Sequence, residues 1–261
     1  MQNVHAPRTR VAAIMPPAVP ENPIALGAPA IDAHLNGGLT RRALHEIYAA
    51  GTADAAAAAG FAAALASRAA GRRPLLWARL DALAAESGGM HGPGLADIGL
   101  APDSLVLVRA RTLPDLLKAG WEAARCAALG AVLIEAWGGG RALDLTASRR
   151  LLLAAQTSGA PTLLLRTGTQ PMPSAAWTRW MVRAAPSQAL AAGAPGHPAY
   201  DLTLLRHREG IAPRDWRVEW NRDQRCFREA SRRRDAALPR PVVPLPADGE
   251  AAPDAGLRRA G

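Results

Sequence analysis

The sequence predicts an α/β fold in which a mostly parallel sheet, covered on both faces, is extended by antiparallel strands near the C-terminus. Two observations carry this prediction. Near-continuous apolar runs alternate with helix-patterned segments between residues 44 and 167, as expected of parallel strands buried on both faces. After residue 175 apolar and polar residues alternate one by one, which marks strands with one wet face.

The elements follow in order. "LHEIYA" (44–49) reads as the first strand, and the alanine-rich helix after it runs to about residue 70, favoured by propensity more than by amphipathicity. "PLLWARL" (74–80) reads as a second buried strand and "SLVLVRA" (104–110) as a third. Between them "SGGMHGPG" (87–94) has the glycines and proline of a mobile loop. The clearest helical period covers 112–129, where Leu113, Leu116, Leu117, Trp121, Ala124 and Ala128 form one stripe and Thr112 stands at the N-cap. "AVLIEAW" (131–137) is a strand, apolar until Glu135. "DLTASRRLLLAAQTSG" (144–159) is a helix closed by glycine, and "PTLLLRT" (161–167) another central strand.

In "WTRWMVRA" Thr178, Trp180 and Val182 alternate with Arg179, Met181 and Arg183, and "DWRVEWN" sets Trp216, Val218 and Trp220 against Arg217 and Glu219. With "YDLTLLRHR" (200–208) they predict antiparallel strands extending the sheet, with those three tryptophans packed in the core. Trp137, beside the glycine loop, is the tryptophan most open to exposure, with core packing the equal alternative. Residues 1–23 are proline-rich and aperiodic, and 228–261 mix prolines, small residues and both charges. Both ends are expected to be disordered, leaving a core over 24–227.

Composition narrows the function classes. Cys126 and Cys226 are the only cysteines and form no CxxC pair, which disfavours a secreted disulfide framework or a zinc site and points to the cytoplasm. Without 18 uninterrupted apolar residues, no membrane span is expected. The net charge is +9, from 31 basic against 22 acidic residues, and would suit a phosphate-bearing partner such as DNA. Only Lys118 of those basic residues is a lysine. Such arginine- and alanine-heavy usage also fits a GC-rich genome, so a merely solvated basic surface accounts for the charge equally well.

The turn after the first strand, "AAGTADAAAAAG" (49–60), is where a phosphate-binding loop would sit. That loop needs GxxxxGK[ST]: glycines so that backbone N–H groups close on phosphate, lysine for the outer phosphates, and a hydroxyl for magnesium. No lysine precedes Lys118, so no register supplies one. Asp54 falls beside the first helical turn and takes the electrostatic place of a bound anion. A phosphate charge about 4 Å away would be repelled by on the order of 4 kcal/mol near a protein surface. The turn around Gly51, Thr52 and Asp54 therefore reads as a degenerate phosphate loop. No ATP hydrolysis, cofactor or metal is expected. Glu135, where a magnesium-holding acid would fall, reads as a strand-end carboxylate facing solvent or an arginine.

Candidate contacts to DNA or a protein partner are arginines. Arg149 and Arg150 lie on one helix, with Arg141 in the preceding glycine loop. Adjacent helical residues point about 100° apart, so the pair serves one surface only at its edges. Arg179, Arg183 and Arg217 fall on the expected wet face of the terminal strands, and Arg232, Arg233 and Arg234 open the tail. Solvated or intramolecular pairs are the alternative for each. His45 next to Glu46 lacks a nucleophile to serve, and Ser148 and Ser158 lack an elbow motif.

The stretch "LGAPAIDAHLNGGLTRRALHEIY" (26–48) resembles the start of the RecA ATPase core, and 94–137 keep a RecA-like order of loop, strand, helix and acid-ended strand. "LTASRRLLLAAQTSGAPTLLLR" (145–166), "AAWTRWMVRAAPS" (175–187) and "RDWRVEWN" (214–221) are similar to the damage-inducible mutagenesis protein family ImuA. The resemblance covers roughly 24–227. It implies a RecA-like core and a non-catalytic accessory role in SOS-type, error-prone translesion DNA synthesis. The partners it implies are an ImuB-like relative of the Y-family polymerases and a second, C-family polymerase, with RecA as a further candidate. The competing expectations are a SulA-like inhibitor of cell division, an active RecA-type ATPase, and a plain DNA-binding module.

Overall fold

A computed structural model describes residues 21–83, 88–139, 142–190, 194 and 196–230. Most of both ends expected to be disordered, with Arg232, Arg233 and Arg234, lies outside the described residues, as does Arg141. The first apolar run forms β1 (Leu44–Ala49), followed by helix α2 (Ala55–Ala70), β2 (Leu75–Leu80) and β3 (Leu105–Ala110). Ahead of β1 stands the short helix α1 (Pro29–His34), and between β2 and β3 the short helix α3 (Gly92–Asp97). Helix α4 (Leu113–Ala124), β4 (Ala131–Trp137), helix α5 (Leu145–Ser158) and β5 (Thr162–Thr167) complete the α/β part. Four more strands follow: β6 (Thr178–Ala185), β7 (Ala199–His207), β8 (Arg214–Asn221) and β9 (Cys226–Glu229).

All nine strands form one sheet in the order β3-β2-β4-β5-β1-β6-β7-β8-β9. Pairing is parallel from β3 through β6 and antiparallel from β6 to β9. The protein is thus an α/β fold with a mostly parallel sheet and an antiparallel extension. One expected detail changes. β6 was expected to be antiparallel, but it lies parallel to β1 and antiparallel to β7, so it is the seam between the two regimes. A strand's own alternation reports which faces it buries, not the direction of its neighbours.

Helices cover both faces. Helix α2 packs on Ile47, Leu133, Leu163 and Leu165, joined by Ile98 and Leu100 from the connection to β3. Buried residues of α4 and α5, among them Leu116, Ala123, Leu151 and Leu152, meet Val132, Ile134 and Leu164 on the opposite face. Beyond β1 the first core continues as aromatics. Trp180 and Trp216 approach to 6.0 Å, Trp220 and Phe227 to 4.9 Å, and Phe61 of α2 reaches Phe227 at 5.0 Å. Burying an aromatic of this size stabilises by roughly 1.5–3 kcal/mol, so this chain of rings fastens the antiparallel extension to α2. The three tryptophans expected in the core are there, each less than a tenth exposed.

Two glycines decide close approaches. Gly38 has φ +131°, and a Cβ there would meet the backbone of Ile24, across the small antiparallel bridge Ile24–Leu39. Gly120 lets α4 settle against Ile134, where a Cβ would collide with that side chain. This contact corrects the expected stripe. The buried ridge of α4 runs through Leu116, Gly120, Ala123 and Ala124, leaving Leu117 and Trp121 only half-buried. The helix also ends at Ala124, before Ala128, which is exposed. Its expected cap is present: the Thr112 hydroxyl accepts the Asp115 N–H at 3.3 Å.

"SLVLVRA" is an edge strand of the sheet, with Val106 and Leu107 exposed; an apolar run does not say whether a strand is central. Part of the expected mobile loop is helix α3, whose start is capped by His91 Nδ1 accepting from Gly94 N at 3.3 Å. The sheet also runs past residue 227, because Arg228 and Glu229 belong to β9.

Candidate functional site

The parallel strands β1, β2, β4 and β5 end at one edge of the sheet, where α/β folds usually hold their ligands. Here β1 leads into a 3-10 turn, Thr52–Asp54, and then α2. The turn is fastened to β6: Ala50 N donates to Val182 O at 3.0 Å, and Asp54 Oδ1 accepts from Ala184 N at 2.9 Å. Asp54 is the N-cap residue of α2, so its carboxylate stands at the positive end of that helix. Its hydrogen bond joins α2 to the neighbouring strand.

Beside this turn is a crevice of about 350 Å³, lined by the first residues of α2, by Trp77, Arg79, Glu135 and Trp137, and by Met90 and His91. Glu135 is buried rather than facing solvent, and of its two expected partners it takes the arginine. Arg79 Nε lies 3.3 Å from its Oε2, and Trp77 Nε1 donates to the same oxygen at 3.0 Å. Burial raises the Glu135 pKa, opposed by the Arg79 charge and the Trp77 hydrogen bond. Trp137, the tryptophan most open to exposure, is partly covered in this crevice, and its indole approaches Gly168.

A polar network missing from the sequence reading lies on the opposite face of β1. Glu46 is buried, and its Oε2 receives Arg179 Nε at 3.1 Å, Ser174 Oγ at 2.7 Å and Tyr48 Oη at 3.3 Å. Arg179 Nη2 also donates to Ser174 Oγ at 2.8 Å. Arg166, itself buried, donates to Tyr48 Oη at 3.1 Å and lies 5.4 Å from the ring centroid. Arg179 was expected on a wet face. Its guanidinium is instead held inside this network, because the connection 168–177 covers it and Glu46 needs a counter-charge. One signal for the network was present: Glu46 puts a carboxylate into a strand whose six residues are all buried.

His45, next to Glu46 in β1, is fully buried. Its Nδ1 meets Thr178 Oγ1 at 2.7 Å and its Nε2 donates to Thr40 O at 2.8 Å. Burial lowers its pKa to about 4, reinforced by nearby His207 and opposed by the Thr40 hydrogen bond. It is a neutral core histidine bridging β1 and β6.

The remaining candidate arginines divide by environment. Arg217 is paired in bidentate fashion with Asp201, at 2.7 and 2.9 Å. Glu219, expected on the wet face with it, is buried and takes Arg228 at 2.9 Å. The charges on this part of the extension are therefore matched within the sheet. Arg183, Arg149 and Arg150 are exposed. The last two diverge, as adjacent helical residues must. Arg150 lines a groove of about 770 Å³ between α5 and α4, with Trp121, Leu117 and Lys118. Arg149 lines a groove of about 450 Å³ between α5, residues 174–176 and the end of β7, with Arg206 and Arg208. The sequence reading missed Arg206 and Arg208, whose proximity to Arg149 only the tertiary fold creates.

Among the described residues no helix is long and apolar enough to cross a membrane. The fold and these features define an α/β protein whose carboxyl edge is cross-linked by its own side chains, with Arg149, Arg206 and Arg208 lining one groove beside α5. Neither protein-family models nor curated proteins give a match to the chain.

Proposed function

We propose that the chain is a non-catalytic adaptor in SOS-type, error-prone translesion DNA synthesis, acting with an ImuB-like relative of the Y-family polymerases and a second, C-family polymerase. The reading begins from the resemblance of 145–166, 175–187 and 214–221 to the ImuA family, and of 26–48 to the RecA core. The observation that carries its non-catalytic half is the hydrogen bond between Asp54 and Ala184 N at the start of α2. A carboxylate stands there at the helix end that would attract a phosphate, and no lysine precedes Lys118 in the chain. The adjoining Arg79–Glu135 pair satisfies the acid that would otherwise be available to a metal. A RecA-shaped surface without turnover would then serve for docking.

Deletion of the gene tests the role. Mutants induced by ultraviolet light are counted beside survival and cell length. The expected result is fewer induced mutants at normal cell length. Unchanged mutagenesis with relief of division arrest would discard the adaptor role in favour of a SulA-like inhibitor.

A further inference from the structure

We propose that the groove between α5, residues 174–176 and the end of β7 docks an acidic segment of a partner protein that carries apolar anchors. The outer face of α5 repeats Leu145, Arg149 and Leu153 at intervals of four residues, which places them along one stripe of the helix. Leu145 is 56% exposed and Leu153 52%, although a helix on a sheet normally turns its leucines inward. Both line the same groove as Arg149, and Arg206 and Arg208 line it too.

The charges there are one-sided. Among the described residues no carboxylate lines the groove, and α5 has no acidic residue after its cap, Asp144. Arg206 makes only a long contact of 3.5 Å to Ser174 O, and Arg208 lies 5.4 Å from the Trp177 ring centroid. None of the three arginines has a carboxylate within ion-pair distance among the described residues. The contrast with Arg79, Arg179, Arg217 and Arg228, all paired internally, is direct.

This chemistry selects the occupant. Carboxylates complement three guanidinium groups, and leucine-sized side chains complement Leu145 and Leu153. A groove of about 450 Å³ holds a few such side chains. A nucleic-acid backbone would satisfy the arginines but set its phosphates against two leucines. The inference rests on the adaptor reading in one respect, that the partner is a protein.

The test is selection of a phage-displayed library of random peptides on the full-length chain, followed by titration of one enriched synthetic peptide. Enriched sequences are expected to combine Asp or Glu with Leu, Ile or Phe. Affinity should fall by roughly tenfold or more in the double variant Arg149→Glu/Arg206→Glu, and again in the separate variant Leu153→Ser. These side chains are exposed, so circular dichroism and thermal midpoints should match the parent. If the double variant does not fold, Leu153→Ser and Arg208→Ser alone carry the test. Absence of enrichment, enrichment of peptides without carboxylates, or equal affinity for all variants would each overturn the proposal. So would a single-stranded oligonucleotide whose binding depends on the arginines but not on Leu153, since that would make the groove a nucleic-acid track. The outcomes separate from the broader reading. Failed peptide selection with a mutagenesis defect in the deletion strain removes the groove alone, whereas successful selection without that defect removes the translesion role alone.

Discussion

At the carboxyl edge of the sheet Arg79 meets Glu135 and Asp54 holds the Ala184 amide, whereas on the outer face of α5 Arg149 and Arg150 face solvent between leucines. Both regions contain charged residues flanked by apolar side chains. At the edge the charges are closed into internal bonds. On α5 they are not, and the same helix leaves leucines uncovered. Charge type alone therefore does not mark a surface for contact; the presence of an internal counter-charge does. Arg179 makes the point, since in sequence it looks as available as Arg183.

The comparison breaks most sharply at Glu46. Arg179→Ala would leave a buried carboxylate without its counter-ion, which costs about 3–5 kcal/mol. Urea unfolding should show a lower midpoint with an unchanged slope. A variant as stable as the parent would mean that the Glu46 network is not closed.

The next effect is one of pH. The folded His45 is held at about 4 against an ordinary 6.5, so the unfolded chain binds the extra proton in that interval. Stability from this site is complete above pH 6.5 and is lost as pH falls toward 4, by up to about 3 kcal/mol. His207, also lowered by burial, acts in the same direction. Unfolding followed between pH 7 and 4 should show the decline, and His45→Gln should flatten it. A parent whose stability holds constant over the interval would contradict a neutral buried imidazole.

Smaller effects sharpen the contrast. Asp54→Ala removes one partly exposed hydrogen bond between α2 and β6 and should cost about 1 kcal/mol. Arg149 has no side-chain partner among the described residues, so Arg149→Ser should leave stability within about 0.5 kcal/mol. Chemical denaturation of the two variants side by side reads the difference. Equal losses would erase the distinction between a bonded edge and an open face.

Much of the architecture was legible because strand burial is written as local runs. β1 spans the residues that "LHEIYA" predicts, and α5 (Leu145–Ser158) falls within the expected 144–159 and is closed by the expected Gly159. What local pattern cannot report is the neighbour. The parallel pairing of β6, the edge position of β3 and the β9 strand all depend on partners distant in the chain. The stripe of α4 was misplaced because glycine counts as neutral in a hydrophobic period, while in the fold Gly120 marks the closest contact. The arginines followed the same rule. The divergence of Arg149 and Arg150 is helix geometry and was readable, but the convergence of Arg149 with Arg206 and Arg208 is not. The pairing of Glu46 with Arg179 spans 133 positions, and only the odd carboxylate in a buried strand hinted at it.

The most direct measurement is complementation of the deletion strain, scored as the frequency of ultraviolet-induced mutants at equal protein abundance. The account predicts that Asp54→Ala restores induced mutagenesis to the parental level, while Arg149→Glu/Arg206→Glu/Arg208→Glu leaves it at the level of the deletion. Restoration by the arginine variant together with failure of Asp54→Ala would contradict it, and would place the working surface at the carboxyl edge of the sheet instead of beside α5.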